Sequence, residues 1–152
     1  MRKIEKGQVK SVGWEERDEG LTYVDILKTN EAEAKTLSGK DNIRKAAVKL
    51  STYDIDEIII TLGNKGSLIY SKGKFYPIPA FPPRKIADVT GCGDTYMAGY
   101  IHKRLESPDI DKSGRFGAAT ASLKLEESGP FEGTQQDVHN FLELQSMKKV
   151  SK

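Results

Sequence analysis

The heptapeptide DVTGCGD, Asp88 to Asp94, stands just ahead of a helical run, MAGYIHKRL at 97–105. It gathers two aspartates, two glycines and the single cysteine of the chain. Three chemistries are open to such a stretch: an acidic turn, a nest for a cysteine nucleophile, or a phosphate cradle with a carboxylate beside it. Gly91, Cys92 and Gly93 fall at a helix N-terminus, where unpaired backbone N–H groups and the helix dipole form an anion site. Glycine there also lets an anion come close to the backbone. Cys92 as a nucleophile would want a base, and no histidine is near it in sequence. The dipole favours the ionised form of Asp94 in the first helical turn. A carboxylate beside an anion cradle makes chemical sense if it takes a proton from an attacking hydroxyl while the donors hold a transferring phosphate. An acidic first-turn residue after a glycine turn accounts for the same letters equally well.

Composition narrows the field without deciding it. The chain has 152 residues, 37% hydrophobic and 30% charged, which predicts one soluble domain with a real core. Twenty-four basic and 22 acidic residues leave a net charge of +2, too balanced and too scattered to indicate nucleic acid. Lys148, Lys149 and Lys152 read as a solvated end. One cysteine precludes an internal disulfide, so a cytoplasmic setting is expected. No apolar run approaches the roughly 20 residues of a membrane span, and MRKIEKGQVK lacks the apolar stretch of a signal peptide. His102 and His139 have no metal-ligand spacing, so no structural zinc site is expected.

Along the chain, RKIEKGQVKSV (2–12) alternates around Lys-Gly and reads as a hairpin. Residues 14–23 are weakly helical, and YVDILKT (23–29) reads as a short buried strand. Asn30 opens a helix over EAEAKTL that Gly39 ends. Asp41 is expected to cap another, with Ile43, Ala46, Ala47 and Leu50 on one face. DEIIITLG (56–63) is the clearest strand, apolar through its middle as in a sheet covered on both faces. SLIYSKGKFYPIPA (67–80) reads as a second hairpin. The helix after DVTGCGD should carry Met97, Tyr100, Ile101 and Leu105 on one stripe. A helix from about Asp111 to Glu127 contains GAATAS, small enough for close backbone approach. Thr134 caps the last, with Val138, Phe141 and Leu142 inward. Strands alternating with helices predict an α/β fold with a largely parallel sheet.

Two further stretches carry candidate chemistry. In TNEAEA (29–34), Asn30 and Glu33 have capping-box spacing. The same pair suits the surroundings of a nucleotide's magnesium, which keeps much of its water and meets few carboxylates. In IIITLGNKGSLIY (58–70), Thr61, Gly63 and Gly66 follow a buried strand. They make either a plain strand connection or a turn against nucleotide phosphates, with Lys65 as an added cation. Neither G-x-x-x-x-G-K-[ST] nor G-x-G-x-x-G occurs, which removes the P-loop and dinucleotide-fingerprint readings.

Taken in order, TNEAEA, IIITLGNKGSLIY and ADVTGCGDTYMAGY resemble the signatures of the ribokinase-like (PfkB) family of carbohydrate and nucleoside kinases, whose last signature usually reads D-T-T-G-A-G-D. The likeness continues through RFGAATASLKLEESGPFEGT (115–134). It implies a three-layer α/β/α fold and ATP-dependent phosphorylation of a sugar or nucleoside hydroxyl, with Mg2+. It also implies Asp94 as the catalytic base, and the N–H groups of Gly91, Cys92 and Gly93 as the anion hole. Thr61, Gly63, Lys65 and Gly66 would form the nucleotide-binding turn, and Asn30 and Glu33 the pair near magnesium, met through water. Asp88 and Thr90 match positions that offer oxygens to a monovalent cation such as K+. Family members are about twice this length, and the likeness implies the C-terminal, nucleotide-binding half, without the N-terminal strands and the lid. Exposed sheet edges are then expected, and self-association through them. A non-catalytic nucleotide-binding or self-assembling fragment is the alternative outcome.

Overall fold

The computed structural model describes residues 2–5, 8–11 and 15–150, with the side chains of 15–147. Strands β1 (Arg2–Glu5) and β2 (Gln8–Ser11) pair antiparallel, as the hairpin reading requires. The Lys6-Gly7 turn between them lies outside the described residues, as do Trp14 and the side chains of Lys148, Lys149 and Lys152. A short helix, α1 (Arg17–Leu21), leads to the main sheet, of order β3 (Ile26–Asn30), β4 (Glu57–Thr61), β5 (Ser67–Ser71), β6 (Lys74–Ile78).

The α/β class is as expected, but the described sheet is not mostly parallel. Only β3 and β4 run parallel; β4–β5 and β5–β6 are antiparallel. The connections explain this. Helices α2 (Glu31–Ser38) and α3 (Ile43–Leu50) supply the long crossover a parallel pair needs, whereas short turns join β4 to β5 and β5 to β6.

Helices cover both faces. On one, Ile58 and Ile60 of β4 pack with Ala34, Ala46, Ala47 and Leu50. On the other, Ile59, Ile69 and Ile78 pack against Tyr96 and Tyr100 of α4 (Cys92–Glu106). Helix α5 (Ile110–Leu125) lies along α4, and α6 (Gln135–Val150) packs Val138 and Phe141 onto Phe116 and Phe81. This is the expected three-layer arrangement. Among the described residues no helix is long and apolar enough to cross a membrane.

Two local readings change. Asn42, not Asp41, caps α3, its Oδ1 accepting from the N–H groups of Arg44 and Lys45. On α4 the buried stripe is Tyr96, Gly99 and Tyr100, while Ile101 is 39% and Leu105 84% exposed. The helix is rolled by its neighbours: the tyrosines meet the sheet and Gly99 meets α5. A β-carbon on Gly99 would stand 2.6 Å from Thr120 Oγ1, and one on Gly117 would stand 2.7 Å from the Tyr96 carbonyl. The small residues of GAATAS thus serve close helix packing.

Candidate functional site

Strand register brings the separate motifs to one place. Because side chains alternate, Ile26, Lys28 and Asn30 of β3 share a face with their partners Glu57, Ile59 and Thr61 of β4. That is the α4 face, since Ile59 packs on Tyr96 and Tyr100. The C-terminal ends of the parallel pair, Asn30 and Thr61, therefore lie side by side under it. Ligands of open α/β sheets bind at such strand ends.

The DVTGCGD turn leads into α4. Gly91 is the N-cap in the left-handed region, φ 77°, a conformation glycine adopts freely. The Cys92 N–H bonds the Val89 carbonyl at 3.4 Å, closing the turn. Asp94 is exposed in the first turn, with Gly91, Thr90, Asp88 and Thr95 around a cleft of about 340 Å³. Burial pushes the Cys92 thiol up, away from the thiolate a nucleophile needs. A second cavity of about 380 Å³ lies among α4, α5 and α6, lined by none of the candidate site residues.

Asn30 and Glu33 form a true capping box. Asn30 Oδ1 accepts from the Glu33 N–H at 2.9 Å, and Glu33 Oε2 accepts from the Asn30 N–H at 2.9 Å. The box engages the Asn30 amide oxygen and one of the two Glu33 carboxylate oxygens, and keeps both side chains at the strand end. The Thr61 hydroxyl donates to the Thr29 carbonyl at 3.2 Å. Gly63 begins a single tight helical turn, Gly63–Lys65, and Gly66 follows at φ 90°. A β-carbon on Gly66 would collide with the Ile78 carbonyl and the backbone of Pro79 and Ala80. Gly66 thus serves the packing of the turn against the segment after β6. Next to it, Ser67 Oγ and the Tyr96 hydroxyl share a hydrogen bond of 2.8 Å, tying this turn to α4. Burial pushes Tyr96 up to about 12, so it stays protonated. Lys65 is exposed on the turn.

Two lysines that the sequence reading passed over complete the site. Lys28 reaches from β3 to the helix start: a β-carbon on Gly93 would stand 2.5 Å from its Nζ. It makes no ion pair among the described residues. The available signal was the alternation that puts Lys28 on the same strand face as Asn30. Lys124, on α5, is 2% exposed. Its Nζ lies 3.2 Å from the Glu127 carbonyl, 3.4 Å from the Asp88 carbonyl and 3.6 Å from Asp88 Oδ2. The other Asp88 oxygen accepts from the Thr90 N–H at 2.8 Å. That bond, with Lys124 adding to it, holds the Asp88 carboxyl below its ordinary value.

No cluster of three or more His, Cys, Asp or Glu fit for a metal occurs among the described residues. A magnesium ion here would be met by one carboxylate through water and otherwise by phosphate oxygens, a mode this ion commonly uses. Glu33 at the strand end suits that role.

Residues 10–137 match the model of the pfkB family of carbohydrate kinases. A ribokinase of Haemophilus influenzae is 35% identical over 133 residues, which cover 83% of this chain and 43% of that protein. A nucleoside kinase of Methanocaldococcus jannaschii is 44% identical over 75 residues, 49% of this chain and 25% of that protein. Among solved structures, Arabidopsis thaliana ribokinase complexed with ribose and ATP superposes with a TM-score of 0.76 at 29% identity, covering 82% of this chain and 43% of its own. An E. coli protein described as ribokinase II, in complex with ATP and Mg2+, reaches 0.76 at 25% identity, over 83% of this chain and 41% of its own. The chain thus spans less than half the length of these relatives. With the signatures in order, the family model over most of the chain and the ribokinase fold beneath them, the chain belongs to the pfkB family of carbohydrate kinases.

Proposed function

We propose that this chain carries the phosphoryl-donor side and the catalytic base of an ATP-dependent kinase acting on a hydroxyl of a sugar or nucleoside. It does so as a single domain, the C-terminal, nucleotide-binding half of the ribokinase-like fold. The observation that carries the reading is the cleft at the start of α4, where backbone donors and an exposed carboxylate stand together. The N–H groups of Gly91, Cys92 and Gly93 receive the γ-phosphate with the helix dipole behind them, that of Cys92 exchanging its 3.4 Å turn bond to the Val89 carbonyl for the anion. Lys28 adds a cation at the same point. Asp94 takes the proton of the acceptor hydroxyl as its oxygen attacks the γ-phosphorus in line, the bridging β–γ P–O bond breaks and ADP leaves, so nucleophile and phosphate are held in one geometry. Thr61, Gly63, Lys65 and Gly66 flank the nucleotide. Asn30 and Glu33 hold the water shell of Mg2+, which, when bound, neutralises charge on the donor phosphates.

The test is a coupled assay of Mg·ATP consumption over a panel of pentoses, hexoses and nucleosides. Turnover with one acceptor class, lost in Asp94→Asn, supports the reading. Turnover undiminished in Asp94→Asn removes the base assignment.

One observation favours a second reading, a nucleotide-binding, self-associating unit without turnover. Among the described residues β3 has no partner on its outer side, and open edges invite pairing. Mg·ATP binding without turnover on any acceptor, with a sedimentation mass that rises with concentration, would select it. A monomer at all concentrations would exclude it.

A further inference from the structure

We propose that the Lys124 ammonium takes the place of a monovalent cation at the Asp88 loop, so that this chain holds its phosphate-binding turn without K+. The inference rests on the reading of Asp88 to Asp94 as that turn. The family resemblance assigns oxygens of Asp88 and Thr90 to a monovalent cation, and in the structure the Asp88 oxygens of that pair face Lys124. Its side chain is 2% exposed, and its ammonium faces the Asp88 carbonyl, Asp88 Oδ2 and the Glu127 carbonyl at 3.2–3.6 Å. A carboxylate and two carbonyls are the oxygen set that suits a hard cation, and an ammonium matches K+ in charge and nearly in radius. A second cation against the same oxygens would meet Lys124 at contact distance, where like charges repel.

The lysine also does mechanically what an ion would do. It bridges two backbone segments, the Asp88 loop and the end of α5, which are already stitched by the Ala87 and Asp88 N–H groups donating to the Leu125 carbonyl. The Asp88 carboxylate it neutralises is the one that accepts from Thr90 N–H, one residue before the helix cap. The loop beneath Gly91 is therefore set by a covalently attached charge.

Thermal unfolding tests this on the chain itself. Wild type, Lys124→Ala and Lys124→Met are melted in KCl, NaCl and choline chloride at equal ionic strength, with and without Mg·ATP. Wild type should melt at one temperature in all three salts. Lys124→Ala should melt lower in choline chloride and regain about 3 °C or more in KCl, because only the vacated oxygens bind the ion. A K+-specific rise in wild type, or no K+-specific gain in Lys124→Ala, overturns the proposal. If neither variant folds, wild-type crystals grown in RbCl decide: an anomalous peak beside Asp88 overturns it, and none there upholds it. Absence of a Mg·ATP shift in every salt would reject the kinase reading while the cation comparison still judged Lys124.

Discussion

At the scale of single residues, Asp94, Lys28 and Asp88 should each respond differently to substitution. A positioned base typically contributes about 10²–10⁴-fold, so Asp94→Asn should lower turnover by that order while calorimetry finds Mg·ATP affinity little altered. Equal losses in binding and turnover would mean that Asp94 positions the donor instead. Lys28 should show the opposite split. A hydrogen bond to a charged group is worth about 1.5–3 kcal/mol, so Lys28→Met should weaken Mg·ATP binding about tenfold or more, with Lys28→Arg recovering part of it. Asp88 predicts a pH dependence. The Thr90 N–H and then Lys124 hold its folded carboxyl below the ordinary value near 3.8. Its contribution to stability is thus present above that pH and lost as pH falls through the folded value. Asp88→Asn should therefore be less stable than wild type at neutral pH, and the gap in melting temperature should close in acid. A gap unchanged down to pH 3, about one unit below the ordinary aspartate value, would contradict this.

Elements show which of these residues could be found from sequence. The β4 strand, the β5–β6 hairpin, the Asn30 cap and the helix after DVTGCGD were all legible, because each has a local cause: apolar runs, turn residues, cap spacing. Lys28 was not, since its role depends on β3 pairing in register with β4 beneath α4. Lys124 was hidden for a similar reason: a lysine in a small-residue helix shows its partner only when α5 is laid against the Asp88 loop. The stripe on α4 was misread because Gly99, not a large side chain, sets the roll of that helix on α5. The Asn30–Glu33 box permits an element-level test of function against capping. Glu33→Gln keeps a capping-box partner, so melting should barely move, while the Mg2+ concentration needed for half-maximal ATP binding should rise. An unchanged Mg2+ requirement would leave the pair with capping alone. Gly66→Ala belongs to this scale too. Its β-carbon meets backbone at positive φ, so a loss of about 3 kcal/mol is expected, read as a melting temperature roughly 10 °C lower.

Across the whole molecule, the sheet is held to α4 from both ends. Near the site, Ser67 meets Tyr96 at 2.8 Å. At the far end, buried Glu57 accepts from the Tyr100 hydroxyl at 2.5 Å and from the Arg104 guanidinium at 2.6 Å. These anchors fix the start of α4 over the strand ends, which is what turns a glycine-rich loop into a site. The chain spans less than half of the relatives it matches. The phosphoryl donor is proposed to bind at the start of α4. Calorimetric titration of Mg·ATP into this chain tests that most directly. The account predicts saturable one-to-one binding that Asp94→Asn retains and Lys28→Met weakens. No heat of binding to a folded wild-type chain, or binding indifferent to Lys28, would contradict it.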